Sequence, residues 1–296
     1  MKKNVLVACI MMVANLSLFA RPDEAPSSQE SSFEKLPTSV GDELDIPWKS
    51  SVTSADSEYF WIEELEYGLL PFGPGTLDMG GTDGPGRKMT SQQRVTLSRS
   101  FWMGEFEVTQ GQYVEVMGEN PSTFSVGEGV GWEERPVETV TWMEAVEFCR
   151  RLTLRFRDRL PVGYEFRLPT EAEWEFAARA YLKRGRCEEP LKGFVDQGLQ
   201  SITTATRLTA QNHNGIHGMA GNVMEWCYDW YGKYADRELE DPVGATKGYC
   251  RVVRGGSWMH GKELARPTSR NYFYPDTRAC FIGFRVVLGP SIHGVS

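Results

Sequence analysis

Followed for where apolar side chains recur, the chain divides in two. Its first 56 residues hold a single apolar run, Val5 to Phe19, and then a Ser-, Glu-, Pro- and Asp-rich stretch with few apolar positions. From Tyr59-Phe60-Trp61 onward apolar and aromatic residues return at short intervals, and order is expected to begin there. Residues 72–81 are punctuated by Gly and Pro and suit short strands and tight turns. Val95 to Val108 mixes β-branched and aromatic residues in partial alternation, which predicts a strand. Three helix starts follow, each a hydroxyl residue with Glu or Gln three positions later: Thr109 with Gln112, Thr141 with Glu144, and Thr170 with Glu173. The first helix should stop at Gly118. The second carries Ala145, Val146, Phe148, Cys149 and Leu152 at helical spacing, and the third should run from Glu171 to about residue 181. Residues 249–254 and 284–288 are the last strand candidates. Capped helices beside many short, Gly-broken strands point to an α+β fold rather than alternating βαβ units.

Composition changes this picture only at the ends. A chain of 296 residues with 41% hydrophobic residues and nine tryptophans has ample core material. The net charge of −8 argues against a nucleic-acid or anionic-membrane surface. Residues 21–56 carry eight acidic and three basic groups, so the folded part is only mildly acidic. Lys2-Lys3, the apolar run and Ala20 before a polar segment read as a secretory signal over residues 1–20, cleaved near Ala20. The run is short for a membrane span and is interrupted by Asn15 and Ser17. Residues 6–9 mimic a lipoprotein box, but too little apolar sequence precedes them, so lipidation is the lesser alternative. The expected organisation is a signal peptide (1–20), an acidic leader (21–56), one domain (57–290) and a short tail (291–296). The expected location is periplasmic, cell-surface or secreted.

Candidate chemistry is sparse. Past the signal, Cys149, Cys187, Cys227, Cys250 and Cys280 remain; export permits disulfides, and an odd number suggests one or two bridges with a buried thiol. No Cys/His metal spacing and no nucleophile elbow is present. His213 and His217 have helical metal-pair spacing, but Asn214-Gly215 between them argues against a helix. Glu171 and Glu173 fit helix capping better than catalysis.

Seven motifs in order nonetheless carry a resemblance. They are residues 75–80 (GTLDMG), 107–113 (EVTQGQY), 136–142 (PVETVTW), 167–179 (RLPTEAEWEFAAR), 221–226 (GNVMEW), 254–258 (RGGSW) and 283–285 (GFR). Together they resemble the sulfatase-modifying-factor, or formylglycine-generating-enzyme-like, family over about residues 60–288. The resemblance implies an irregular variant of the C-type lectin fold with short strands and about three helices. Oxidising members hold copper with two cysteines just after the Gly-Gly-Ser-aromatic motif, and soft thiolates suit Cu(I). Here the first of those positions is His260 and residues 261–265 hold no Cys, so no catalytic residue carries over and copper is not expected; Ser257 matches a pocket-lining serine. The family's calcium site would use Gly221, Val223 and Glu225, weakened because its side-chain ligand position is Gly218.

Residues 270–285 also resemble the diversified segment of retroelement-variable proteins, ligand-binding members of the same fold. The sequence thus reads as an exported recognition protein for a protein or surface ligand, bound by residues 257–281 through Trp258, Met259, His260, Tyr272, Phe273, Tyr274, Thr277 and Phe281. The alternative is a formylglycine-generating-type oxidoreductase, acting on a protein cysteine with altered metal chemistry.

Overall fold

A computed structural model describes residues 59–81, 92–125, 131–179, 206, 209, 211–212, 214–260 and 265–292. The signal, the acidic leader, Cys187, His213 and the 261–264 stretch lie outside the described residues.

All three capping boxes form. Helix α1 (Gln110–Met117) has Thr109 Oγ1 accepting from Gln112 N while Gln112 reaches back to the Thr109 amide, and Gly118 closes it at φ 88°. Helix α2 (Trp142–Phe156) repeats the arrangement with Thr141 and Glu144, and buries Ala145, Phe148, Cys149 and Leu152. Helix α3 (Glu171–Arg179) does so with Thr170 and Glu173. These local bonds satisfy first-turn amides that a helix cannot satisfy itself.

The strands form three sheets. One has five strands, in the order β1 (Phe60–Ile62), β2 (Tyr67–Phe72), β5 (Phe101–Gly104), β12 (Val287–Pro290) and β6 (Tyr164–Arg167). A second joins β10 (Arg270–Phe273), β9 (Arg251–Arg254), β7 (Met224–Trp230) and β11 (Ile282–Gly283). The third joins β3 (Gly75–Met79), β4 (Gln93–Leu97) and β8 (Leu239–Glu240). The single strand expected over 95–108 is therefore two strands in different sheets. Residues 98–100 are the break: Ser98 N donates to Asp241 Oδ1 at 2.8 Å, and the chain turns away from β4 there. The strand expected over 284–288 begins later, at Val287, because Arg285 is committed to the interior.

The four-stranded sheet is the centre of the molecule. Strand alternation sends Val252 and Arg254 to one face and Arg251 and Val253 to the other. The register sets Arg254 opposite both Arg270 and Glu225, and Arg251 opposite Phe273. Helix α3 covers the first face, where Trp174, Cys227 and Val252 share a cluster with Ile216 and Met219. Helix α2 covers the second, where Trp142, Phe148, Trp226, Val253, Phe273, Phe281 and Phe284 share the other cluster. Cys149, Cys227, Cys250 and Cys280 are all buried. Cys149 and Cys227 stand as buried thiols, and burial pushes both thiol pKa values up. Among the described residues no helix is long and apolar enough to cross a membrane.

Candidate functional site

The α3 face of the central sheet is held by buried ion pairs. Glu225 accepts from Arg285 Nε at 2.6 Å and Nη2 at 2.5 Å, and from the Trp174 indole N–H at 2.7 Å. Glu175 pairs with Arg254 and Arg179. Glu171 takes Arg270 in a bidentate pair at 2.6 and 2.8 Å and also the Tyr234 hydroxyl. Glu171 is thus more than a helix-start residue: its carboxylate ties α3 to β10. Such pairs are costly to desolvate and costly to break, so they fix geometry more than they add stability.

At the end of this sheet the chain leaves β9 through Gly255 and Gly256, with φ of 91° and 70°. These left-handed conformations let residues 257–260 fold back over the domain. Ser257 is buried, and its Oγ lies 2.7 Å from His260 Nδ1. Trp258 is anchored by its amide to Asn222 O (2.9 Å) and by its indole N–H to Cys280 O (3.2 Å), with the Phe124 ring edge-on at 5.7 Å. His260 N donates to Ser257 O at 2.9 Å, and its ring stands edge-on to Phe281 at 6.0 Å. Burial lowers the His260 pKa below its ordinary value. Trp258, Met259 and His260 are half-buried.

Beneath Phe124 lies a strained joint. Thr139 has φ 63°, unfavourable for a β-branched residue, and is held by Ala279 O, by Arg278 on its carbonyl and by Thr123. The adjacent Glu138 is fully buried and accepts the Phe124 amide at 2.8 Å. Burial pushes its carboxyl up to about 7.

The eight residues expected to bind ligand do not share one surface. Trp258, Met259 and His260 group together, and Tyr274 is half-buried in the turn closed by Thr277 N on Tyr274 O. Phe273 and Phe281 are core residues, 7% and 1% exposed and 5.9 Å apart, and Thr277 is buried too. They are interior residues, not surface ones. Tyr272 follows the opposite alternation from Phe273 and packs against Tyr231 at 4.3 Å beside Arg270, on the α3 side. Composition could not reveal this division, which depends on register.

The three expected calcium positions are Gly221, Val223 and Glu225. A Cβ on Gly218 would fall 2.3–2.4 Å from the Glu107 carboxylate, which therefore fills the space a side chain at 218 would take. Glu107 is fully buried; Oε1 accepts from Asn222 Nδ2 at 3.1 Å and Oε2 has no partner. Burial pushes this carboxyl up to about 7. A buried carboxylate oxygen lacking a donor is what a cation would satisfy. In the sequence Glu107 is only the first residue of the 107–113 motif, with nothing in its spacing to mark a ligand. His217 takes no part: its Nδ1 lies 2.7 Å from Thr209 O and its ring packs on Phe106.

Residues 68–289 match the sulfatase-modifying factor enzyme 1-like domain. The chaperone protein LppX of Paenibacillus barcinonensis is 29% identical over 258 residues, spanning 70% of this chain and 86% of that protein. The formylglycine-generating enzyme of Streptomyces coelicolor is 32% identical over 179 residues, 52% of this chain and 53% of the enzyme. The chain thus spans about half the length of that relative. Among solved structures, Treponema denticola variable protein 1 superposes with a TM-score of 0.69 at 28% identity, covering 80% of this chain and all of that one.

Proposed function

The chain belongs to the sulfatase-modifying factor enzyme 1-like domain family, and from that premise we propose that it is an exported recognition protein rather than an oxidase. Its ligand face is formed by Trp258, Met259 and His260 together with Tyr274, and the first three rest on Phe124 and Phe281, with Phe273 packed behind. The observation that carries this reading is the anchoring of residues 257–260. Trp258 is held at both its amide and its indole, and His260 at both its amide and its ring. A surface fixed before its ligand arrives loses little entropy on binding, which is how aromatic recognition faces gain affinity. The likeness to Treponema denticola variable protein 1, at 28% identity over that whole chain, supports the same direction.

Against oxidase chemistry stands the donor set. By the family resemblance His260 would fall at the first copper-thiolate position; residues 261–265 contain no Cys, and Cys280 is buried with its carbonyl under the Trp258 indole. One imidazole does not replace a dithiolate. Calcium is the second part of the proposal: Glu107 and the carbonyls of Gly221 and Val223 would hold it as a structural ion, while Glu225 stays paired with Arg285.

The test is a titration of the purified chain with copper and a cysteine-containing peptide, assayed for aldehyde. No turnover above free copper is expected. Sustained aldehyde formation that depends on the protein would overturn the recognition reading.

A further inference from the structure

Four arginines are buried among the described residues, and three of them face a glutamate: Arg167 with Glu173, Arg254 with Glu175 and Arg285 with Glu225. Arg251, 8% exposed, has no carboxylate within ion-pair distance among the described residues. Its guanidinium carbon lies 3.6 Å from the Trp142 ring centroid and 3.5 Å from that of Trp230, so the group is clamped flat between two indoles. Tyr228 closes one side, with its ring at 5.7 Å and its carbonyl accepting from Nη1 at 2.5 Å. The Nε–H is buried and has no acceptor.

Indole faces attract a cation, which explains why the charge is tolerated. They accept no in-plane hydrogen bond, so they do not explain the idle Nε–H. Asp229, next in the strand to Tyr228, does not supply one either. Asp229 alternates to the other face of β7, where Oδ2 accepts the Glu171 amide at 2.8 Å. Tyr228 and Asp229 are the titratable groups that act on Arg251.

We propose that the Trp142–Arg251–Trp230 stack is a binding slot for a carboxylate, taken edge-on by the Nε–H and Nη2–H of Arg251. The class follows from shape. The two contacts place the plates about 7 Å apart, which admits a flat group in the guanidinium plane but crowds a tetrahedral one. Trp142 is 3% exposed and is the fixed inner plate, while half-buried Trp230 is the outer one, whose tilt opens Nε to the ligand. The Trp142 amide donates to Pro275 O at 2.9 Å, so the slot borders the turn at residues 274–277. The site is independent of the recognition face, and would stand if that reading failed.

The experiment titrates the full chain with sodium acetate against sodium chloride and sodium phosphate at matched ionic strength. It follows the arginine Nε–H resonance that is lost in Arg251→Lys, together with tryptophan emission. Acetate should move both signals saturably, chloride neither, and phosphate should bind more weakly than acetate. Arg251→Lys, whose ammonium cannot offer two coplanar donors, should weaken acetate by about tenfold or more in the emission titration. Should that variant fail to fold, Trp230→Ala keeps Arg251 and removes the outer plate; a comparable loss is expected. An acetate response equal to that of chloride, phosphate binding tighter than acetate, or acetate affinity within about twofold of wild type in the folded variants would overturn the proposal.

Discussion

Replacing Arg285 with methionine should be among the most damaging single changes in the domain. Arg285 is fully buried and makes four hydrogen bonds: two to Glu225, one to Gly104 O at 2.9 Å and one to His217 O at 2.8 Å. Methionine preserves much of the volume but leaves the Glu225 charge buried with only the Trp174 indole for company. Breaking one side of such a pair costs about 3–5 kcal/mol. The two carbonyls add to this unless water enters. Urea unfolding followed by tryptophan emission reads the loss directly as a fall in midpoint at constant slope. The double variant Arg285→Met/Glu225→Gln is the sharper part of the test. Glutamine is neutral and still accepts from Trp174, so the pair should recover about 1–3 kcal/mol relative to Arg285→Met alone. A single-variant cost below about 1 kcal/mol, or a double variant no more stable than the single, would refute the assignment of a rigid, charge-paired centre.

Further outcomes follow from the same structure. Glu138 has its folded-state carboxyl raised from 4.5 to about 7, so it holds a proton that the unfolded chain has already lost between those values. Stability should therefore fall as pH rises through that window, and Glu138→Gln should flatten the slope by up to about 3 kcal/mol, measured by urea midpoints from pH 4 to 8. Phe281→Ala should cost about 3–5 kcal/mol as a core cavity, whereas Met259→Ala on the face should cost under about 1 kcal/mol. Cys149 and Cys227 should resist a thiol reagent in the native protein and react only at the rate of unfolding, since burial disfavours both thiolates. Calcium should raise the thermal midpoint, and Glu107→Gln should abolish that rise.

The helices were legible because their signals are local. A threonine and a Glu or Gln three residues later bond to each other wherever the surrounding chain goes, and all three boxes formed. The strands were less so. The alternation from Val95 to Val108 says which residues turn inward, but nothing about which sheet each half joins, and Ser98 with Asp241 decides that across 143 residues. The candidate site divides for the same reason. Tyr272 and Phe273 are adjacent in sequence and lie on opposite faces of one sheet, a division fixed by pairing with Val252 and Arg251. Glu107 and Arg251 were invisible as site residues because their isolation is three-dimensional. An arginine at the head of the apolar run Arg-Val-Val-Arg was the one available hint for the latter.

The recognition face itself is tested most directly by presenting the full chain, and a Trp258→Ala/Met259→Ala/His260→Ala variant with an unchanged urea transition, to arrays of immobilised proteins and glycans. A ligand bound by the wild type should lose about tenfold or more of its affinity in the variant. Wild-type ligands that the variant keeps in full would contradict it.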